Sequence, residues 1–144
     1  MAIVQSSGYA HVRLTVTDIE RSKAFYDEVF GWPVIADASA RVDEPGITES
    51  QADLFGGTIY LAPGGVLLGL RPVAPAGQRF DPDHTGLDHI SFQVSSREDL
   101  VAAAEHFQAR GIEHGEVTEL PGAGIAVLSF SDPDGVQCEL TAAL

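Results

Sequence analysis

An internal repeat constrains the fold of this chain more than any other feature of its sequence. Residues 11–16 (HVRLTV) align with residues 89–94 (HISFQV) at an offset of 78 residues (89 − 11). Residues 65–70 (GVLLGL) align with residues 135–140 (GVQCEL) at an offset of 70 residues (139 − 69). A sequence that matches itself at both ends of each half predicts two copies of one supersecondary unit.

Each copy begins with a strand-like alternation that leads into a helix signal. The signal is a Thr/Ser-x-x-Glu capping box, which starts at Thr17 in the first half and at Ser95 in the second. Glycine favours the turn that ends a helix, so the helices are predicted to end near Gly31 and at Gly111.

Two further strands are predicted between each helix and the last strand of its half. They cover residues 32–36 and 57–62 in the first half, and residues 112–119 and 125–130 in the second. The offset falls by 8 residues (78 − 70), so the first half is longer. The extra residues are most simply placed in the polar stretch of residues 37–52, which is predicted to be a long surface loop.

These patterns predict an α+β domain over residues 1–144, with two repeated βαβββ modules that form a cupped mixed sheet with the helices on its outer face. Module one covers about residues 8–71, a proline-rich linker about 72–86, and module two about 87–144. Alternation along the strands predicts one apolar face under the helices. Its members are Val12, Leu14, Val16, Val66, Leu68, Leu70, Ile90, Phe92, Val94, Val136, Cys138 and Leu140.

The opposite face of the strands carries a candidate metal site. His11 and His89 are equivalent in the repeat, and Glu139 lies on the same face of the last strand. Two imidazoles and one carboxylate form a facial triad that leaves coordination positions open for water or substrate. The alternative is that both histidines are hydrogen-bonded strand residues and that Glu139 pairs with Arg13 or Arg71.

The other polar side chains of this face are candidates for orienting a polar or anionic ligand. They are Arg13, Arg71, Ser91, Gln93 and Gln137. Trp32 and the loop of residues 41–51 are candidates for a lid over the site.

The charge balance excludes several classes of function. The chain has 8 Lys+Arg against 21 Asp+Glu, a formal net charge of −13, and no basic cluster. A surface of this sign repels phosphate backbones and anionic lipids, so we expect no nucleic-acid or membrane partner. A single cysteine excludes an internal disulfide framework, and with the absence of a signal-peptide pattern it predicts a cytoplasmic protein.

Several of these segments resemble the vicinal oxygen chelate superfamily, which comprises glyoxalases, bleomycin resistance proteins and dioxygenases. The resemblance covers nearly the whole chain and is strongest at residues 11–16 with Asp18, at the helix of residues 21–31, at residues 87–90 and at residues 132–140. It implies paired βαβββ modules around a divalent metal (Fe, Mn, Ni or Zn) and a homodimer. The metal ligands of that family match His11, His89 and Glu139 here.

This chain departs from individual branches of the superfamily. Glyoxalase I enzymes carry a fourth ligand, usually Glu, where this chain has Gly69, so their activity is not expected; we expect the glycine to widen the space beside the metal. Fosfomycin resistance enzymes have further basic and aromatic residues after the last strand. Extradiol dioxygenases usually have twice as many modules. His84 is the one spare histidine considered for proton transfer, although an exposed loop position is the simpler interpretation.

The sequence therefore predicts a metal-dependent enzyme that binds vicinal oxygens of a small organic substrate, with extradiol-dioxygenase-like or lyase/isomerase chemistry. The alternatives are a non-catalytic drug or metabolite binder of the bleomycin resistance type, and a protein in which the metal only braces the fold. His106 and His114 are predicted to be surface residues, and Cys138 a buried thiol.

Overall fold

Each half of the chain folds into a four-stranded mixed sheet with one long helix. The computed structural model describes all residues, 1–144, and they form two compact units, residues 1–78 and residues 79–144. The prediction of an α+β fold built from repeated βαβββ modules is confirmed. Neither helix has both the length and the apolar character that crossing a lipid bilayer requires.

Unit 1 has the strand order β1-β4-β3-β2, in which β1 is parallel to β4 and the other neighbours are antiparallel. Its elements are β1 (His11–Thr15), α1 (Ile19–Val29), β2 (Val34–Asp37), β3 (Thr58–Leu61) and β4 (Leu67–Arg71).

Unit 2 repeats this order as β5-β8-β7-β6, with β5 parallel to β8. Its elements are β5 (Ile90–Gln93), α2 (Arg97–Arg110), β6 (Thr118–Leu120), β7 (Ile125–Ser131) and β8 (Gln137–Ala143).

The strand registers agree with the two sequence offsets. In unit 1 the Cα partner of Arg13 is Gly69, and in unit 2 the partner of Ser91 is Glu139. Ser91 is the repeat equivalent of Arg13 and Glu139 that of Gly69, so equivalent residues are paired in both units. The two units therefore repeat the same backbone pairing as well as similar sequences.

Both helix N-termini are shifted by one residue from their prediction. Asp18, not Thr17, caps α1, and its side chain accepts a hydrogen bond from the Arg21 amide. Ser96, not Ser95, caps α2 in a reciprocal capping box with Asp99. Asp18 and Ser96 both have extended backbone, so each helix begins one residue later than the pattern predicts and the next polar side chain caps it.

The apolar side chains pack each helix onto its own sheet, α1 against β4 and α2 against β7 and β8. Seven of the twelve predicted core positions are buried, and burial of a leucine of this kind stabilises the fold by about 1.5–3 kcal/mol. They are Leu14, Val16, Leu68, Leu70, Val136, Cys138 and Leu140. Val66 is a correction: it is 36% exposed because it lies in the turn before β4.

The strand predicted over residues 112–119 is also mostly wrong. Only Thr118–Leu120 forms a ladder, and the preceding segment contributes one isolated bridge from His114 to Phe130. The chain leaves α2 through the left-handed Gly111 and reaches the strand direction only after several residues.

The extra length of unit 1 lies between β2 and β3. Residues 38–57 separate these strands and form three short 3-10 turns, whereas residues 121–124 separate β6 from β7. Arg41 braces this loop through ion pairs with Glu44 and Asp53. Hydrogen bonds from Ser50 and then from Arg41 lower the pKa of Asp53. The loop is thus folded on itself.

A carboxylate network joins α1 to the edge of the sheet in unit 1. Lys23, the one lysine of the chain, donates to Asp37 at 2.6 Å and to Ser39 at 2.8 Å. The hydroxyl of Thr58 donates to the other Asp37 oxygen at 2.6 Å. Burial opposes ionisation of Asp37, but the hydrogen bonds from Lys23, Thr58 and Ser39 outweigh it and hold its pKa well below the usual range.

Replacing Asp37 is expected to remove part of the acid sensitivity of the fold. Because the folded-state pKa is depressed, this stabilisation is present above about pH 4 and is lost as the pH falls toward the folded-state pKa. Asp37→Asn should lower the free energy of unfolding by about 1–2 kcal/mol at neutral pH, with a smaller difference below about pH 4. Urea unfolding followed by circular dichroism across this pH range measures it.

The matched control is Asp43→Asn, at an exposed carboxylate of the same loop that forms no ion pair. Equal pH dependence in wild type and Asp37→Asn would show that the network contributes no linked stability.

Candidate metal site and polar faces

Unit 2 brings together two of the three predicted metal ligands. His89 directly precedes β5, and the parallel pairing of β5 with β8 sets Glu139 beside Ser91. As a result, His89 Nε2 lies 4.0 Å from Glu139 Oε2. This distance is too long for a hydrogen bond, so neither Nε2 of His89 nor Oε2 of Glu139 is engaged by the other.

The imidazole of His89 is oriented through its other nitrogen. Nδ1 lies 2.6 Å from Asp88 Oδ1. An ionised carboxylate only accepts hydrogen bonds, so Nδ1 carries the proton, and in a neutral imidazole Nε2 then has the free lone pair. A carboxylate behind the histidine is the arrangement that metal-ligating histidines use to fix tautomer and ring orientation.

Glu139 is oriented in the same way. Its Oε1 accepts a hydrogen bond from the Thr141 hydroxyl at 2.9 Å, and that hydroxyl lies 2.5 Å from the Ser91 hydroxyl. The remaining oxygen, Oε2, faces His89. The glutamate side chain is 22% exposed, so it is shielded from most of the solvent without being buried.

The spacing of these two donors slightly exceeds that of neighbouring ligands on one divalent cation. Nitrogen and oxygen ligands lie about 2.0–2.2 Å from such an ion, so two adjacent ligands at about 90–110° are about 3–3.5 Å apart. His89 Nε2 and Glu139 Oε2 are 4.0 Å apart. The two side chains therefore have to close by about 0.5–1 Å to bind one cation as neighbouring ligands.

The structure does not gather a complete three-ligand cluster. No three His, Cys, Asp or Glu side chains of residues 1–144 are arranged to hold a metal ion. His11 belongs to unit 1, where it opens β1 with an exposed side chain on the face that also carries Arg13. Its assignment as a ligand stays a prediction.

The space beside Gly69 is filled, contrary to expectation. A Cβ at this position would lie 3.2 Å from Nε and 3.3 Å from Cγ of Arg13. The glycine therefore permits the Arg13 side chain to cross the strand, and it does not widen the site. At Gly69, where the resemblance to glyoxalase I enzymes implies a carboxylate, the cationic side chain of Arg13 therefore covers the backbone.

Arg13 and Arg71 converge on one aromatic ring of unit 1. The guanidinium carbon of Arg71 lies 4.1 Å from the centroid of Phe55, and that of Arg13 lies 5.6 Å from it. Both distances fall in the range of cation–π attraction. The loop of residues 38–57 therefore reaches the polar face of the sheet through Phe55.

The other polar candidates are partly engaged within unit 2. Ser91 bonds to Thr141, and the Gln137 amide donates to the Ser131 hydroxyl at 3.3 Å and the Gly135 carbonyl at 3.2 Å. Gln93 is exposed at the end of β5.

The remaining histidines of unit 2 have other surroundings. His84 is exposed and pairs with Asp81 at 3.3 Å, and His106 is exposed on α2. His114 is a correction, because it is half-buried with its ring 6.1 Å from that of Phe107 and its Nδ1 2.7 Å from the Gly115 carbonyl. Cys138 is buried as predicted.

Three residues that matter to the geometry were not among the sequence candidates. Asp88 was visible beside His89, and a carboxylate next to a proposed ligand is a usable signal. Thr141 lies two residues after Glu139 and therefore on the same strand face. Phe55 gave no signal, because its position depends on the conformation of a long loop.

Comparison with known proteins identifies the family. Residues 8–140 match the model of the Glyoxalase/Bleomycin resistance protein/Dioxygenase superfamily. The chain is 30% identical over 130 residues to the uncharacterized protein YwkD of Bacillus subtilis, covering 90% of this chain and 92% of YwkD. It is 25% identical to the uncharacterized protein YaeR of Escherichia coli over the same shares of the two chains.

Solved structures agree in fold. A glyoxylase/bleomycin resistance protein/dioxygenase domain from Frankia sp. EAN1pec is 28% identical, with a TM-score of 0.73 over 97% of this chain and 100% of that chain. A mutant of the fosfomycin resistance protein FosX from Listeria monocytogenes, in complex with Mn(II) and 1S,2S-dihydroxypropylphosphonic acid, is 20% identical, with a TM-score of 0.71 over 97% and 95%. The chain belongs to the Glyoxalase/Bleomycin resistance protein/Dioxygenase superfamily.

Proposed function

We propose that this protein is a metal-dependent enzyme that binds vicinal oxygens of a small organic substrate at a 2-His-1-carboxylate site. The ligands are His89 and Glu139 of unit 2 and His11 of unit 1. The observation that carries the proposal is the pair in unit 2, whose facing atoms lie 4.0 Å apart while their other atoms are held by Asp88 and Thr141. Side chains fixed in this manner are poised to ligate a metal.

A divalent cation at this site supplies Lewis acidity toward two neighbouring substrate oxygens and stabilises negative charge that develops on them. The protein's own part is to hold His89 in the tautomer that presents Nε2 and to orient Glu139 through the hydrogen bond from Thr141. Polar side chains of the two faces orient the substrate. They are Arg13, Arg71, Ser91, Gln93 and Gln137.

The reaction falls in the extradiol-dioxygenase-like or lyase/isomerase class. Isomerisation of the glyoxalase I type is not proposed. The carboxylate that those enzymes use is replaced here by Gly69, and the side chain of Arg13 covers this position. The cation is Fe, Mn, Ni or Zn, which suit imidazole and carboxylate ligands. The FosX complex supports a divalent cation within this fold, since that protein holds Mn(II).

A non-catalytic small-molecule binder of the bleomycin resistance type is the second candidate. The observation in its favour is that the structure gathers no three metal-binding side chains. A binder predicts ligand affinity that is unchanged when divalent metal is removed, whereas the enzyme predicts a loss of substrate binding and turnover.

We also propose that the protein is a homodimer in the cytoplasm. Dimers are common in the superfamily, and a single cysteine fits a reducing compartment. Sedimentation equilibrium of the purified chain tests the first point, and fractionation of the source cells tests the second.

Removing a proposed ligand is expected to abolish stoichiometric metal binding. We expect protein purified without a His tag to bind about one equivalent of Fe, Mn, Ni or Zn. His11→Ala, His89→Ala and Glu139→Gln should each weaken affinity by more than about 100-fold. Elemental analysis and competition with a metal-sensitive dye measure the two quantities.

His106→Ala is the control, since this histidine is exposed on α2. Circular dichroism checks that each variant is folded. Unchanged metal content in both His89→Ala and Glu139→Gln would overturn the site.

Asp88 is expected to tune metal affinity through His89. Asp88→Ala removes the carboxylate that holds Nδ1 and should weaken metal binding by about 10–100-fold. Asp88→Asn keeps an accepting oxygen without the charge, so its affinity should be intermediate. Asp83→Ala, at a nearby exposed carboxylate of the same unit, should leave affinity unchanged. The same titration compares the four proteins, and equal affinity in all of them would show that Asp88 does not act on the ligand.

A further inference from the structure

Two arginine side chains meet at one ring on the polar face of unit 1. Arg71 lies 4.1 Å and Arg13 lies 5.6 Å from the centroid of Phe55. Both guanidinium carbons are within about 6 Å of the same point, so they are at most about 10 Å apart. Gly69 makes this possible, because a Cβ there would press against the Arg13 side chain.

Neither guanidinium has an acidic partner within unit 1. Lys23 and Arg41, by contrast, form ion pairs with carboxylates of that unit. Arg71 Nε is buried without a hydrogen-bond partner. A buried donor that stays unpaired costs free energy, so its retention needs a physical reason.

The absence of an acidic partner is also unexpected from the composition, because the chain has a net charge of −13. Acidic side chains outnumber basic ones by 21 to 8, yet none pairs with these two arginines in unit 1. Like charges within about 10 Å repel each other, and an anion bound near both adds two attractive interactions that outweigh this repulsion. Guanidinium groups present their donors in a fork that matches oxyanions.

We propose that Arg13 and Arg71 bind an oxyanion, a carboxylate or a phosphonate/phosphate group, carried by the substrate. Phe55 is a positioning residue that holds both guanidinium groups by cation–π contact. Arg13 lies two residues from His11 on the same strand face, about 6.7 Å along the strand. The substrate is then a small acid whose charged group lies a few ångströms from the substrate oxygens that approach His11. Only this assignment of the oxyanion to the substrate rests on the proposed function.

The conformation of Phe55 supports its positioning role. Leu54 and Phe55 have φ of 54° and 56°, in the left-handed region that non-glycine residues seldom adopt. The turn is held by hydrogen bonds from the Phe55 amide to the Ser50 carbonyl at 2.8 Å and from the Gly57 amide to the Leu54 carbonyl at 2.9 Å. The ring is therefore presented by a backbone that has few alternative conformations.

The test measures binding of inorganic phosphate and of benzoate to metal-free protein. The metal is stripped with a chelator, which is then dialysed away, and ionic strength is kept constant with NaCl. Nitrogen–proton spectra of the arginine Nε groups follow each titration. We expect the Arg13 and Arg71 signals to shift with at least one probe; the probe that binds more tightly distinguishes a phosphonate-like from a carboxylate group.

Arg13→Gln and Arg71→Gln should each weaken this affinity by about tenfold. Arg71→Lys keeps the charge without the fork and should bind weakly as well. Arg110→Gln, on α2 of unit 2, is the control and should bind as wild type. If neither probe shifts the two signals, or if Arg71→Gln binds like wild type, the inference is overturned.

Phe55→Leu keeps an apolar side chain without an aromatic face and should weaken oxyanion affinity by about threefold, while Phe55→Tyr should restore it. Equal affinity in wild type and Phe55→Leu would remove the positioning role. Because the protein is metal-free, failure here together with normal metal binding by wild type overturns this inference alone. Retained oxyanion binding in a wild type that takes up no metal overturns the proposed function alone.

Discussion

The parallel pairing of the first and last strands of each unit is the constraint on which both polar faces depend. In unit 2 it joins β5 to β8 and sets Glu139 beside Ser91. Strand side chains alternate, so a slip of one residue would turn Glu139 toward the helix and Cys138 toward the polar face. Because Cys138 and Leu140 are buried on the helix side, such a slip would expose core side chains and bury a carboxylate. The hydrophobic core thus fixes the register that holds Glu139 near His89.

The two units use one backbone frame for opposite charges. The position that is Ser91 in unit 2 is Arg13 in unit 1, and the position of Glu139 is Gly69. Unit 2 thus pairs a small side chain, Ser91, with a carboxylate, whereas unit 1 pairs a cation, Arg13, with a glycine. The glycine leaves room for the arginine, whose Nε would lie 3.2 Å from an added Cβ. The repeat therefore provides two equivalent pairs of positions, one of which carries a carboxylate in unit 2 and the other a cation in unit 1.

Much of this frame was predictable from the sequence, because it depends on short periods and on symmetry. Alternation and the two offsets predicted the βαβββ succession of elements in each unit, the end of α2 at Gly111 and the position of His89 and Glu139 on one face. The predictions that were wrong depend on choices the pattern leaves open. Whether Ser95 or Ser96 caps α2 depends on one residue of extended backbone. Whether Arg13 covers Gly69 depends on the rotamer of the arginine side chain. The position of Phe55 depends on a long loop, whose conformation no periodicity encodes.

The overall charge limits how the arginine pair can act. With a net charge of −13, the protein as a whole repels an anionic substrate, so long-range steering does not speed its association. Salt screens that repulsion beyond about 8–10 Å under physiological conditions, whereas a group in direct contact with two guanidiniums is screened much less. Recognition of an acid must therefore arise at contact, from the fork geometry of Arg71 and Arg13. The fixed ring of Phe55 matters for this reason, because only arginines held in place before binding avoid the entropic cost of ordering long side chains around the ligand.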